Sequence, residues 1–222
     1  MIRAAIFDMD GVLTDSEPVI CAAATEMFHE LGVTVCPEDF RPFVGTGENR
    51  YIGGVAEKYG VTLDIPTAKR RTYEIYLQLV EQGIDAFPGA VELVSACREF
   101  GLLLAVASSA DRIKIEANLR KIGLPWKAWD TVVTGEDVRN TKPAPDIFLA
   151  AASHLGLTAD DCCVVEDAPN GVAAAKAAGM RCVAVAQTFP PARLTVADLV
   201  RTSLVQVSVA DLIGSSAEPR QK

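Results

Sequence analysis

Histidine is almost missing from this chain: His29 and His154 are the only two among 222 residues. Both fall on predicted helices and read as packing or surface residues. The six cysteines, Cys21, Cys36, Cys97, Cys162, Cys163 and Cys182, contain no CxxC pair, so no zinc-like ligand set is present. Cys162 and Cys163 lie inside an apolar run, where cysteine acts as a small hydrophobe. Free thiols in a reducing, soluble compartment are the expectation. Positive charge is also scarce. Lys and Arg total 21 against 29 Asp and Glu, a formal net charge of -8. A polyanion such as nucleic acid is repelled by that balance, and Lys69-Arg70-Arg71 is too short to form a basic patch. No apolar run approaches the roughly 20 residues needed to cross a bilayer, so membrane insertion is not expected. No signal or transit peptide precedes the strand-like run at Ile2, so any targeting segment is expected to have been removed or to lie outside this sequence. Internal repeats and low-complexity tracts are missing too.

What is present suits a folded domain. Half the residues are hydrophobic and 23% are charged, which excludes a mainly disordered chain. Short apolar runs read as buried parallel strands: Ala4–Phe7, Leu102–Ala107, Thr131–Val133, Cys162–Val165 and Cys182–Ala186. Helical patterns follow at Ala90–Phe100, Arg112–Ile122, Pro145–Leu155 and Gly171–Ala178. Gly101, Gly123, Gly156 and Gly179 serve as stops. Alternation of strand and helix predicts an α/β fold, a doubly wound parallel sheet of the Rossmann-like kind. One segment breaks the rhythm. Between Glu17 and Gln82 come amphipathic stretches at Val19–Leu31, Glu38–Phe43, Arg50–Tyr59 and Thr67–Gln82, with no clear strand. The expected organisation is a core of residues 1–15 and 86–214, an all-helical insertion at 16–85, and a tail or linker at 215–222.

Chemistry-bearing residues gather at the predicted strand ends. Asp8 and Asp10 follow the first strand, two residues apart, and extended chain points such side chains the same way. Gly11 then permits a sharp turn. Either Asp alone is explained as a turn cap, but two in an otherwise apolar stretch repel unless a cation or proton is shared. Ser108 follows LLLAVA, Glu166-Asp167 follow CCVV, and Lys142 lies in the loop NTKPAPDIF. Each has a structural explanation alone: a helix cap for Ser108 or Ser109, a solvated charge for Lys142, a cap for Glu166-Asp167. Their convergence suits phosphoryl transfer. Carboxylates gather an oxygen-liganded cation, most plausibly Mg²⁺. The cation and Lys142 neutralise phosphoryl charge, one carboxylate acts as nucleophile, and another moves protons.

The segments FDMDGVLTDSE, VASSAD, TKPAPDIF and VVEDAPNGV, in that order, resemble the four motifs of the haloacid dehalogenase (HAD) superfamily across Ile2 to about Gly214. The resemblance implies Asp8 as nucleophile, Asp10 as general acid/base, and Ser108 and Lys142 as holders of the phosphoryl group. It implies Mg²⁺ held by Asp8, Asp167 and Glu166 beside it, with Asp10 contributing its backbone carbonyl. The insertion resembles the small helical cap of the phosphoglucomutase/phosphatase-like subfamily. Metal-free dehalogenases of the superfamily lack the second Asp, so Asp10 and Glu166-Asp167 favour the Mg²⁺-dependent phosphatase branch.

Two positions depart from the mutase pattern. Ile20 stands where that enzyme has a hinge histidine. Glu48, in VGTGENRY, stands where it has an arginine for a second phosphate, although Arg50 is close enough in sequence to compensate. A monophosphate hydrolase of a small phosphorylated metabolite is therefore the expected function. Glu48, Asn49 and Arg50, with Ser109, are candidate substrate-binding residues. The alternatives are a phosphomutase and a low-activity phosphate-binding regulatory or interaction domain. FVGTGENRYIGGVAEKYG, FPGAVELV and VASSADRIKIEANLRKIGL are further similar to the HAD domain of a larger plant chloroplast protein that also carries a thioredoxin-like domain. That likeness implies a chloroplast stromal location and possible further domains of a longer parent chain.

Overall fold

The computed structural model describes residues 1–214; the tail expected at 215–222 lies outside the described residues. In chain order the elements are β1 (Ala4–Phe7), α1 (Glu17–Glu30), α2 (Pro37–Phe40), α3 (Glu48–Tyr59), α4 (Ile65–Gln82) and α5 (Ala90–Phe100). They continue with β2 (Leu103–Ala107), α6 (Arg112–Lys121), β3 (Thr131–Val133), α7 (Asp146–His154), β4 (Cys162–Glu166) and α8 (Pro169–Ala177). The last are β5 (Arg181–Val185), β6 (Leu199–Arg201) and α9 (Val209–Ile213).

The six strands form one parallel sheet in the order β3-β2-β1-β4-β5-β6. β1 lies at the centre, next to β2 on one side and β4 on the other. The chain thus winds outward in both directions from β1, and ligands bind in the crevice outside the carboxyl ends at such a switch point. β1 is apolar on both faces, as a doubly covered strand must be. Ala5 and Phe7 enter the core shared with α5, α6 and the helices of the insertion, whereas Ala4 and Ile6 enter the core formed with α7 and α8. Trp129 stands edge-on to Phe7 at 5.8 Å and donates its indole N–H to the Leu124 carbonyl. His29 pairs with Glu26 on the surface, and His154 lies 3.3 Å from the Thr131 hydroxyl.

Helices α1 to α4 all lie between Glu17 and Gln82, and Pro42 converts the end of the predicted Glu38–Phe43 stretch into a single tight turn. α4 bridges the insertion and the core: it packs on α1, α3 and α6. Lys69 on α4 pairs with Asp111, the residue preceding α6, at 2.5 Å. No helix among the described residues is long and apolar enough to cross a membrane. All six cysteines are free thiols, and Cys97, Cys162, Cys163 and Cys182 are buried.

Candidate active site

Asp8 and Ser108 are each the first residue beyond a core strand, and the sheet ladder runs one hydrogen bond past each strand to hold them. The Asp8 N–H donates to the Val165 carbonyl at 3.0 Å, and the Ser108 N–H to the Val133 carbonyl at 3.1 Å. Ser108 Oγ accepts from the Ala110 N–H at 3.2 Å, which turns the chain toward α6. Lys142 arrives from the loop before α7. Asn140 donates to Asp146 at 2.9 Å and pins that loop. The ammonium of Lys142 lies 2.5 Å from Asp8 Oδ1, 2.8 Å from Glu166 Oε1, 3.3 Å from the Ala107 carbonyl and 4.8 Å from the centre of the Phe148 ring.

Asp8, Glu166 and Asp167 are all buried, and each offers a carboxylate oxygen within 4.8 Å of the others. Glu166 is also held by the backbone N–H groups of Asp167 and Ala168, both at 2.7 Å, ahead of α8. Two glycines make the crowding possible. A Cβ on Gly11, which has φ +84°, would strike the Asp167 carboxylate, and one on Gly171 would strike Glu166. Burial pushes the Asp8 carboxyl up to about 7; Lys142 opposes this and Glu166 reinforces it. Asp167 is raised well above the ordinary carboxyl range by burial, Glu166 and Asp8. Three carboxylates facing one ammonium leave a deficit of positive charge. An all-oxygen donor set with that deficit fits Mg²⁺.

Asp10 departs from the geometry expected of an extended chain. The strand ends at Phe7, and the N–H groups of Val12, Leu13 and Thr14 all turn back onto the Met9 carbonyl. The Asp10 carboxylate is not one of the three whose oxygens lie within 4.8 Å of one another, although Asp8 and Asp10 line the same cavity. Ser16 donates to Asp10 Oδ1, and Lys114 donates to its Oδ2 at 2.9 Å.

Lys114 escaped the sequence reading. It is buried on α6, although it lies among the charges of RIKIEANLRK. The available signal was its place on the stripe with Ile115, Asn118 and Leu119, one turn apart. Burial draws its pKa down, but Asp10 and Glu48 outweigh that and hold it above the ordinary ammonium range. Glu17 and Tyr51 were missed as well. The Tyr51 hydroxyl donates to Glu17 at 2.8 Å, and burial pushes the Glu17 carboxyl up to about 7.

These residues line one cavity of about 230 Å³ between the strand ends and the insertion. Ser108, Ser109, Lys142, Gln187's neighbour Thr188, Ile20 and Glu48 all reach it. Asn49 and Arg50 do not. Helix α3 starts at Glu48, and the rotation of about 100° per residue turns the next two side chains away. They line a separate groove, where Arg50 pairs with Glu57 at 2.8 Å and covers the Phe43 ring. Glu48 Oε1 lies 3.8 Å from the Lys114 ammonium, and burial raises the Glu48 carboxyl. On the other side of the cavity, the Gln187 amide donates to the Gly11 carbonyl at 2.9 Å and accepts from the Leu204 N–H at 3.1 Å.

A parallel sheet with this strand-end constellation defines a phosphate-handling α/β hydrolase. The sequence profile of the haloacid dehalogenase-like hydrolase family matches residues 2–179, and the chain belongs to that family. It is 47% identical over 98% of its length to Suppressor of quenching 1, a chloroplastic protein of Arabidopsis thaliana, and spans 21% of that protein's length. It is 35% identical to hexitol phosphatase A of Escherichia coli, covering 92% of each chain. Its structure is similar to that of a CbbY mutant from Rhodobacter sphaeroides in complex with xylulose-(1,5)-bisphosphate. The TM-score is 0.87 at 29% identity, covering 96% of this chain and 99% of that one.

Proposed function

We propose that this chain is a Mg²⁺-dependent phosphatase of a small phosphorylated metabolite, a sugar or sugar-alcohol monophosphate, working through an aspartyl-phosphate. The observation that carries the reading is the single ammonium of Lys142 lying 2.5 Å from Asp8 and 2.8 Å from Glu166, at the convergence of three strand ends. Asp8 Oδ attacks phosphorus and the ester P–O bond breaks. The leaving oxygen takes a proton from Asp10. Asp10, now a carboxylate, takes a proton from water as the water oxygen attacks phosphorus. The Asp8–phosphorus bond then breaks, inorganic phosphate leaves, and Asp8 is free again. Ser108 and Lys142 bind the phosphoryl oxygens. Asp8, Asp167 and the Asp10 carbonyl would hold Mg²⁺, with Glu166 beside them. When bound, the ion supplies electrostatic stabilisation of the transferring group.

Residues 16–85 act as a cap that excludes water and reads the substrate. Glu48 places a buried carboxylate on the cap side of the cavity, which disfavours a second phosphate and suits a hydroxyl. Further domains around this one, and a chloroplast location, are proposed on the similarity to the Arabidopsis relative alone.

The test is phosphate release from a panel of sugar, sugar-alcohol and nucleotide monophosphates, phosphoglycolate and p-nitrophenyl phosphate, with Mg²⁺ and with chelator. Mg²⁺-dependent release that Asp8→Asn abolishes is expected. A folded protein that releases phosphate from none of them would leave a phosphate-binding domain as the reading. Isomerisation of a sugar phosphate without net release would make it a mutase.

A further inference from the structure

The Asp10 carboxylate is clamped at both oxygens, by Ser16 from the turn before α1 and by the Lys114 ammonium from α6. Lys114 is 4% exposed, and its ammonium faces groups from both the catalytic turn and the insertion. These are Asp10 Oδ2 at 2.9 Å, Glu48 Oε1 at 3.8 Å and the Tyr76 ring face at 6.0 Å. Glu48 and Tyr76 belong to α3 and α4 of the insertion, whereas Lys114 belongs to the core. One turn further along α6, Asn118 accepts from the Tyr76 hydroxyl at 2.6 Å, so the same face of α6 meets α4 twice. A lysine this buried persists only with its charge matched, and the match is divided between the catalytic turn and the insertion.

We propose that Lys114 is a positioning residue for the proton-transfer step: it fixes the plane of the Asp10 carboxylate, and the insertion fixes Lys114 through Glu48 and Tyr76. This rests on Asp10 being the general acid/base. A carboxylate held at one oxygen swings about its Cβ–Cγ bond, whereas one held at both presents a constant lone-pair direction to the leaving oxygen. The group that moves the proton is thereby tied to the element that meets the substrate. Proton transfer is then well aligned only with the insertion seated.

Leaving groups differ in their need for that proton. 2,4-Dinitrophenolate departs without one, and phenolate does not depart readily without it. The experiment is single-turnover phenol release from a series of aryl phosphates, from 2,4-dinitrophenyl to phenyl, with Mg²⁺ present. Lys114→Met should slow single-turnover cleavage of phenyl phosphate about 100-fold and that of 2,4-dinitrophenyl phosphate by no more than about threefold. Lys114→Arg should recover most of the loss. Equal loss across the series, or none, would overturn the assignment. Should Lys114→Met not fold, the charge-balanced double variant Lys114→Met, Glu48→Gln is expected to show the same leaving-group dependence. Asp10→Asn separates the two levels. If it lacks the dependence, the acid/base reading falls; if it shows the dependence and Lys114→Met does not, only the positioning role falls.

Discussion

Replacing the nucleophile should stabilise the metal-free protein. Asp8 is raised from 3.8 to about 7 because it is buried beside Glu166. Between those values the folded chain keeps a proton that the unfolded chain has lost. Stability therefore falls as pH rises through the window and is lowest above it. The whole difference is on the order of 4 kcal/mol, and about half of it, roughly 2 kcal/mol, falls between pH 5.5 and 8. For a chain of this size that is a drop in Tm of about 4–8 °C. Glu17, also raised to about 7, adds a fall of the same sign. Asp39, Asp198 and Asp211 are lowered, so their contributions change only in more acidic solution. Thermal melts in EDTA at pH 5.5 and 8 are the assay, on wild type and Asp8→Asn. The wild type should lose several degrees and Asp8→Asn clearly fewer. Mg²⁺ should restore the wild type at pH 8, because the ion replaces the proton. A wild-type Tm that is flat or rising over this range, or an Asp8→Asn variant that keeps the whole fall, would refute the reasoning.

Three further outcomes follow from the geometry. Lys142→Ala removes the only ammonium touching Asp8 and Glu166 among the described residues, and kcat should drop by about 10²–10³; steady-state phosphate release checks it. Gly11→Ala puts a methyl group into the Asp167 carboxylate at φ +84°. Mg²⁺ affinity by titration calorimetry should fall at least tenfold, or about 1.4 kcal/mol, alongside a backbone penalty of about 1–2 kcal/mol in Tm-derived stability. Glu48→Ala should change the ranking of sugar phosphates in the panel while sparing hydrolysis of p-nitrophenyl phosphate; loss of all activity would contradict a specificity role.

The core strands and the groups at their ends were legible because each rests on a local signal. A run such as CCVV is readable as a buried strand without its neighbours, and a polar residue just beyond it marks an edge. β6 and α9 lacked such a signal. β6 has three half-buried residues, Leu199 to Arg201, and α9 has five, too few for any period to emerge. Lys114 was hidden for another reason. Its burial is compensated by Asp10 and Glu48, 104 and 66 positions away in the chain, and no local pattern reports such a pairing. The candidates Glu48, Asn49 and Arg50 were adjacent in sequence, and only the start of α3 decides which one meets the cavity. Asp10 was read as an extended neighbour of Asp8 because spacing alone does not reveal where a strand stops.

The single amide of Gln187 has a consequence for where this domain can be cut. The family match ends at residue 179, and everything that chemistry requires by motif lies before that point. Gln187 nevertheless joins the Gly11 carbonyl of the catalytic turn to the Leu204 N–H, beyond β6. Arg181 reaches further, donating to the Asp211 carbonyl within α9. An expression boundary drawn at the limit of the recognisable motifs would keep every reacting group and discard the strut that braces them. The last thirty-odd described residues thus brace the catalytic turn, and a boundary drawn before α9 removes part of that brace.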